Sequence, residues 1–259
     1  MKIPFVKYQG TGNDFILIDN RKLEFSELNV AQLCHPKFGI GADGLMLLQN
    51  IEGYDFEMVY YNSDGKISTM CGNGGRCIVD FAKSLNVFND ENVFFKAIDG
   101  PHDAIWSKEQ VQLKMQDVSF IKSIEVDYEL NTGSPHYVVF VDNVNNLNIV
   151  KLAHQIRYNE TYKTVGINVN FVEILDAQTI KVRTYERGVE NETLSCGTGV
   201  TACVITLAEN LNFANGKYTI AIQTPGGNLN VTYNKSEHNF TNVWLCGAAT
   251  EVFKGEVLV

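Results

Sequence analysis

Apolar and polar positions along the chain fall into short alternating runs separated by glycine turns, and the pattern comes round twice. Residues 11–20 (Thr-Gly-Asn-Asp-Phe-Ile-Leu-Ile-Asp-Asn) and 132–143 (Thr-Gly-Ser-Pro-His-Tyr-Val-Val-Phe-Val-Asp-Asn) each read as a Thr-Gly turn leading into an apolar strand that closes on Asp-Asn. Phe56–Tyr61 and Ile180–Tyr185 alternate with period two, which predicts half-buried strands. Leu28, Ala31, Gln32 and Leu33 predict a short amphipathic helix ahead of Pro36, and Leu152, Ala153 and Ile156 predict its counterpart. After Cys71, residues Ile78, Phe81, Ala82 and Leu85 share one helical face. After Cys196, residues Val200, Cys203, Val204, Leu207, Ala208 and Leu211 do the same. Ala202 and Ile205 widen this second stripe, so that helix is expected to be enclosed by strands. A strand and a glycine turn follow each helix, at Gly100 and at Gly226.

The echoes keep their order, at offsets of 121 residues (Thr11 to Thr132), 125 (Cys71 to Cys196) and 126 (Gly100 to Gly226). An ordered series at nearly constant spacing is the mark of an internal duplication. The expected fold class is α+β: two homologous, pseudo-symmetric domains, each a mostly antiparallel, strand-rich, barrel-like sheet around a central helix. The boundary is expected near residue 118. Residues 1–118 form the half that carries Cys71, residues 119–249 the half that carries Cys196, and the final strand, 250–259, crosses back to complete the first. A chain of 259 residues suits two domains with cores of ordinary size.

Composition narrows the function. The net charge of −9 argues against nucleic-acid binding, which calls for a basic face. No stretch approaches 18 consecutive apolar residues, so no membrane-spanning helix is expected. The opening Met-Lys-Ile-Pro-Phe-Val-Lys-Tyr-Gln-Gly has no apolar signal region, which leads to the expectation of a cytoplasmic protein with reduced thiols.

The chemistry concentrates at Cys71-Gly72-Asn73-Gly74 and Cys196-Gly197-Thr198-Gly199, each of which opens a helix. At a helix N-terminus the dipole and the unpaired backbone N–H groups stabilise an anion, so a thiol there ionises more readily. The same N–H groups can bind a carboxylate, and glycine lets the ligand approach closely. A duplicated pair of such thiols suits inversion of a carbon centre: one thiolate removes a proton, and one thiol returns a proton from the opposite face. No metal and no organic cofactor is called for.

Competing readings are weaker. Cys34, Cys77, Cys203 and Cys246 read as core thiols. A zinc site built from Cys71, Cys77, Cys196 and Cys203 has Cys-x5-Cys and Cys-x6-Cys spacings rather than two to four intervening residues. Gly39-Ile40-Gly41-Ala42-Asp43-Gly44 matches a dinucleotide fingerprint in letters. It precedes a strand-like run, Leu45–Leu48, instead of opening a helix.

Three segments together resemble the diaminopimelate epimerase family over the whole chain: Lys7-Tyr8-Gln9-Gly10-Thr11-Gly12-Asn13-Asp14-Phe15, Met70–Cys77, and Glu186-Arg187-Gly188 with Glu192–Gly199. The resemblance implies interconversion of LL- and meso-diaminopimelate without a cofactor, in a homodimer. It implies that Cys71 and Cys196 are the acid/base pair, and that His136 and Glu186 support them. It further implies that Asn13, Asn62, Asn168 and Arg187 hold the substrate's distal end, that Glu186 also belongs to the substrate-binding set, and that Gly72, Asn73, Gly197 and Thr198 present N–H groups to the reacting carboxylate. Two departures stand out: Ser134 in Gly133-Ser134-Pro135-His136, where the family often has Asn, and Gly44, where some members carry a substrate-contacting Gln. The rival functions are a proline or hydroxyproline racemase on the same plan and a non-catalytic amino-acid-binding protein.

Overall fold

The computed structural model describes residues 2–22 and 28–258. Two compact units emerge, Met1–Leu113 with Gly247–Val259, and Lys114–Cys246. Val259, the end of the final strand expected from the sequence, lies outside the described residues.

In the first unit β1 (Lys2–Gly10) pairs antiparallel with β2 (Asn13–Asp19). After α1 (Val30–Cys34), β3 (Gly44–Gln49) lies parallel to β2 and antiparallel to β4 (Phe56–Asn62). The central helix α2 (Gly72–Ser84) follows, and then β5 (Asn92–Ala97), parallel to β4. Antiparallel β6 (Gly100–Trp106) and β7 (Val111–Lys114) complete the run. The last strand of the chain, β17 (Thr250–Leu258), pairs antiparallel with β1. Among the described residues these pairings form an open ribbon from β17 to β7, so the sheet curves around its helix without closing.

The second unit repeats the plan. It runs through β8 (Lys122–Ile124), β9 (Asp127–Asn131), β10 (Pro135–Phe140), α3 (Ile149–Arg157), β11 (Asn168–Asp176), β12 (Thr179–Glu186) and β13 (Asn191–Thr193). The central helix α4 (Gly197–Asn210) leads to β14 (Gly216–Thr224), β15 (Gly227–Ser236) and β16 (Asn239–Gly247). The sequence of pairings matches: β9–β10 antiparallel, β10–β11 parallel, β11–β12 antiparallel, β12–β14 parallel and β14–β15 antiparallel. Duplication therefore shows in the hydrogen-bond pattern as well as in the letters. It also makes positions equivalent: Phe15 pairs with Gly44 as His136 pairs with Asn168.

Alternation sorts the side chains of each strand to two sides. On β2, Phe15 and Leu17 pack with Ile78, Val79 and Phe81 of α2, whereas Ile16 and Ile18 pack with Val30 and Leu33 of α1. On β10, Val138 joins the cluster around α4, whereas Tyr137 and Val139 join the cluster beneath α3. Being covered on both sides, the strands lose the polar-out pattern, which explains the apolar runs Phe15–Ile18 and Leu45–Leu48. The α4 helix is buried from Gly199 to Ala208, as its all-round apolar sequence requires.

The first short helix departs from the sequence expectation. It starts at Val30, because the Asn29 side chain accepts the Gln32 N–H and caps it there. Its buried positions are Val30, Leu33 and Cys34, while Ala31 and Gln32 are exposed and Leu28 precedes it.

Candidate active site

Among the described residues, α1 and α3 begin on asparagines, Asn29 and Asn148, whose side chains cap the first turn. The two long helices do not. Each begins on cysteine, Cys71 for α2 and Cys196 for α4, in extended backbone, and the side chain makes no capping bond. Neither helix has an acidic residue in its first turn. The first ladder bonds run from Gly75 N–H to Cys71 C=O (2.7 Å) and from Val200 N–H to Cys196 C=O (2.9 Å). The N–H groups of residues 72–74 and 197–199 therefore precede both ladders. Both sulfurs thus lie at the positive end of a long helix, on half-exposed residues.

A polar network braces the Cys71 turn. The buried Asn73 donates through Nδ2 to Asn13 Oδ1 (2.6 Å) and accepts at Oδ1 from Thr11 Oγ1 and Arg76 Nη2 (both 3.0 Å). Arg76, fully buried, also donates to Thr11 Oγ1 (3.0 Å), Gly72 C=O (3.2 Å) and Ala248 C=O (3.3 Å). Asn13 donates onward to Asp43 Oδ2 (2.9 Å), Asp43 N–H to Asp14 Oδ1 (3.0 Å), and Lys7 pairs with Asp14 (2.7 Å). Gly10 is required here: a Cβ would fall 2.9 Å from Asn73 C=O. This brings Cys71, Gly72, Asn73 and Asn13 together. Asn62, an exposed residue, ends β4 opposite Gly44 with its backbone N–H bonded to Lys66 C=O, and the N–H of the next residue, Ser63, donates to Asp43 C=O (3.1 Å). Gly44 leaves no room for a side chain, because a Cβ would meet Tyr60 Cε2 at 2.5 Å and Tyr61 C=O at 2.6 Å.

The Cys196 turn is braced through side chains of the sheet. Cys196 Sγ is 3.5 Å from Thr198 Oγ1, which is 2.9 Å from Nε2 of the fully buried His136. Thr132 Oγ1 donates to Thr198 C=O (2.8 Å). His136 Nδ1 meets Asn170 Nδ2 at 3.2 Å, and Thr184 Oγ1 donates to Asn170 Oδ1 (3.0 Å). Burial, with the Arg187 charge adding to it, pushes the His136 pKa down to about 3, so its imidazole is neutral at any ordinary pH. Asn168 uses both amide protons, on Ser134 Oγ (2.9 Å) and Pro135 C=O (3.0 Å), and accepts from the Arg187 N–H (2.9 Å). Glu186 Oε1 accepts from Thr193 Oγ1 (2.6 Å). Cys196, Gly197, Thr198 and His136 thus form one bonded group, and Asn168 is bonded to the Arg187 turn.

That turn has its own anchor. Burial works against the Glu190 charge, yet bonds from Arg157, the Gly188 N–H, Tyr158 and Tyr185 outweigh it and hold the carboxyl at about 2. Burial pushes the core thiols Cys34 up to about 11 and Cys77 up to about 12, and raises Cys203. Among the described residues no group of three or more His, Cys, Asp or Glu side chains is placed to hold a metal ion.

Arg76, Asp43, Asn170, Thr184 and Glu190 do not stand out in the sequence. For Asn170 a signal exists: on a strand it shares the face of Asn168 two residues earlier, and it is a polar residue in an apolar run.

Comparison with known proteins agrees across the chain. The family model for diaminopimelate epimerase matches residues 5–121 and 128–252. The diaminopimelate epimerase of Flavobacterium psychrophilum is 49% identical over 252 residues, covering 96% of this chain and 97% of its own length. Among solved structures, a phenazine biosynthesis protein of the PhzF family from Bacillus anthracis matches with a TM-score of 0.76 at 14% identity, over 100% of both chains. A hydroxyproline epimerase from Agrobacterium vitis, solved with trans-4-hydroxy-L-proline bound, matches with a TM-score of 0.70 at 11% identity, over 99% of this chain and 91% of that one. These two share the fold.

Proposed function

The chain belongs to the diaminopimelate epimerase family, and from that premise we propose that it interconverts LL- and meso-diaminopimelate with Cys71 and Cys196 as base and acid. It is an isomerase. The observation that carries the assignment of the two thiols is their common position, each opening the long central helix of its unit with no carboxylate in the first turn.

The substrate's α-carboxylate binds to the N–H groups of Gly72 and Asn73 and of Gly197 and Thr198, where the helix dipoles favour an anion. Charge that develops on the carboxylate as the α-proton leaves is stabilised by the same groups, which need no reorganisation. One thiolate removes the proton and the other thiol returns one to the opposite face. The roles reverse for the back reaction, so neither sulfur is permanently the base.

Asn13, Asn62, Asn168 and Arg187 hold the distal amino-acid group. Asn168, with both amide protons engaged, contributes the remaining lone pair of Oδ1 and fixes the Arg187 turn. His136 and Glu186 support the thiols. The protein works as a homodimer in the cytoplasm, in the supply of lysine and peptidoglycan precursors, as membership of the family implies.

The test is isomer conversion. Purified protein with LL-diaminopimelate alone should form the meso isomer, resolved by chromatography, and Cys71→Ala and Cys196→Ala should each abolish conversion. Inversion of proline or trans-4-hydroxyproline with none of diaminopimelate would replace the substrate assignment.

A further inference from the structure

We propose that the Thr198 hydroxyl is a hydrogen-bond donor to the Cys196 sulfur, and that Asn170 is the positioning residue that sets the direction of this donation through His136. The proposal rests on Cys196 being one of the two acid/base groups.

The direction follows from one fixed point. Asn170 Nδ2 lies 3.0 Å from the backbone carbonyl of Tyr137, which can only accept, so this atom is the amide nitrogen and it donates. Its other amide proton points to His136 Nδ1 at 3.2 Å, so Nδ1 is the accepting nitrogen of a neutral ring. The ring proton is then on Nε2, which donates to Thr198 Oγ1 at 2.9 Å. With its oxygen receiving that bond, the Thr198 hydroxyl turns its own proton to Cys196 Sγ at 3.5 Å. Thr184 donates to Asn170 Oδ1 and holds the amide from its other side. Such a chain polarises every link toward the sulfur.

The packing is built for this arrangement. The strand face that meets α4 carries Val138, Val172 and Val182 beneath the helix body, and turns polar with His136, Asn170 and Thr184 near its N-terminus. Gly199 makes the approach possible: a Cβ there would sit 2.6 Å from Asn170 Oδ1.

Two measurements test the proposal. In protein labelled with ¹⁵N-histidine, with His136→Gln used for assignment, the wild-type His136 ring should carry its proton on Nε2 throughout pH 5–8; a proton on Nδ1 overturns the proposal. Independently, the alkylation of Cys196 by iodoacetamide at pH 7, read by peptide mass spectrometry, should slow roughly tenfold in Thr198→Val, since a bond to the thiolate is lost. Thr198→Ser should restore the rate, and Asn170→Leu should slow it in the same sense. Equal rates in wild type and Thr198→Val overturn the proposal. Alkylation needs no substrate, so these results stand apart from diaminopimelate turnover. Loss of turnover with the alkylation pattern intact would reject the activity and keep the hydrogen-bond chain.

Discussion

The Asn73 side-chain amide donates to the side-chain oxygen of Asn13 at 2.6 Å, which joins the first turn of α2 to the start of β2. Arg76 holds this junction from below by donating to Asn73, Thr11 and two backbone carbonyls. Arg76→Met removes four donated bonds from this buried junction, while Asn73 Oδ1 keeps a second donor in Thr11, and should destabilise the fold by about 3 kcal/mol in urea denaturation. Arg76→Lys should recover little, because an ammonium cannot reproduce the planar fork. A loss below about 1 kcal/mol in the Met variant would remove Arg76 from this role.

The two cysteine turns should respond differently to an added methyl group. At Gly199 a Cβ meets the amide oxygen of Asn170, a side chain held at its oxygen by Thr184 and at its nitrogen by Tyr137 C=O, so it cannot retreat. At Gly74 it meets Cε of Met46, the far end of a flexible side chain. Gly199→Ala should therefore lower kcat at least tenfold while the protein remains folded, whereas Gly74→Ala should retain most of its activity. Equal losses in the two variants would contradict this account of the helix starts.

His136 makes stability depend on pH. Its folded pKa is about 3, against an ordinary value of 6.5, so between these values the unfolded chain binds the proton and the folded one does not. The contribution to stability is complete above pH 6.5 and falls as pH drops toward 3, at up to about 1.4 kcal/mol per pH unit. Urea midpoints measured at pH 7, 5 and 4 should fall less steeply for His136→Gln than for wild type. Parallel curves would show that His136 is not the group responsible.

Glu190 gathers bonds from Arg157, Tyr158, Tyr185 and the Gly188 N–H, and so fixes the turn that carries Arg187. On the proposed role of Arg187 in holding the distal group, Glu190→Gln should raise KM for diaminopimelate several-fold with a smaller effect on kcat. A change confined to kcat would instead link this turn to the proton transfer.

Features carried by a few adjacent residues are legible in the sequence alone. The Cys-Gly-x-Gly turns, the helical faces behind them and the repeated Thr-Gly strands are all of this kind, and their order reveals the duplication. What the letters do not convey depends on register. Asn170 matters because it lies opposite Thr184 and within reach of His136, partners 14 and 34 residues away along the chain. Arg76 reads as a helix residue near a cysteine until the fold buries it against Thr11 and Ala248. Gly44 reads as a missing side chain, and the structure shows why none fits, with the Tyr60 ring occupying that space. The start of α1 departs from the apolar spacing because the Asn29 cap outweighs it.

The central claim is proton transfer by two thiols, and isotope partitioning in D₂O tests it most directly. LL-diaminopimelate should be converted by wild-type protein in D₂O and quenched after a few per cent of turnover, with Cys71→Ser and Cys196→Ser as controls. A two-thiol mechanism puts solvent deuterium into the meso product while the remaining LL substrate keeps its α-proton, because the base that removes the proton is not the acid that returns one. Deuterium appearing in recovered substrate as fast as in product would indicate a single base serving both faces, and would contradict the assignment of Cys71 and Cys196 as a pair.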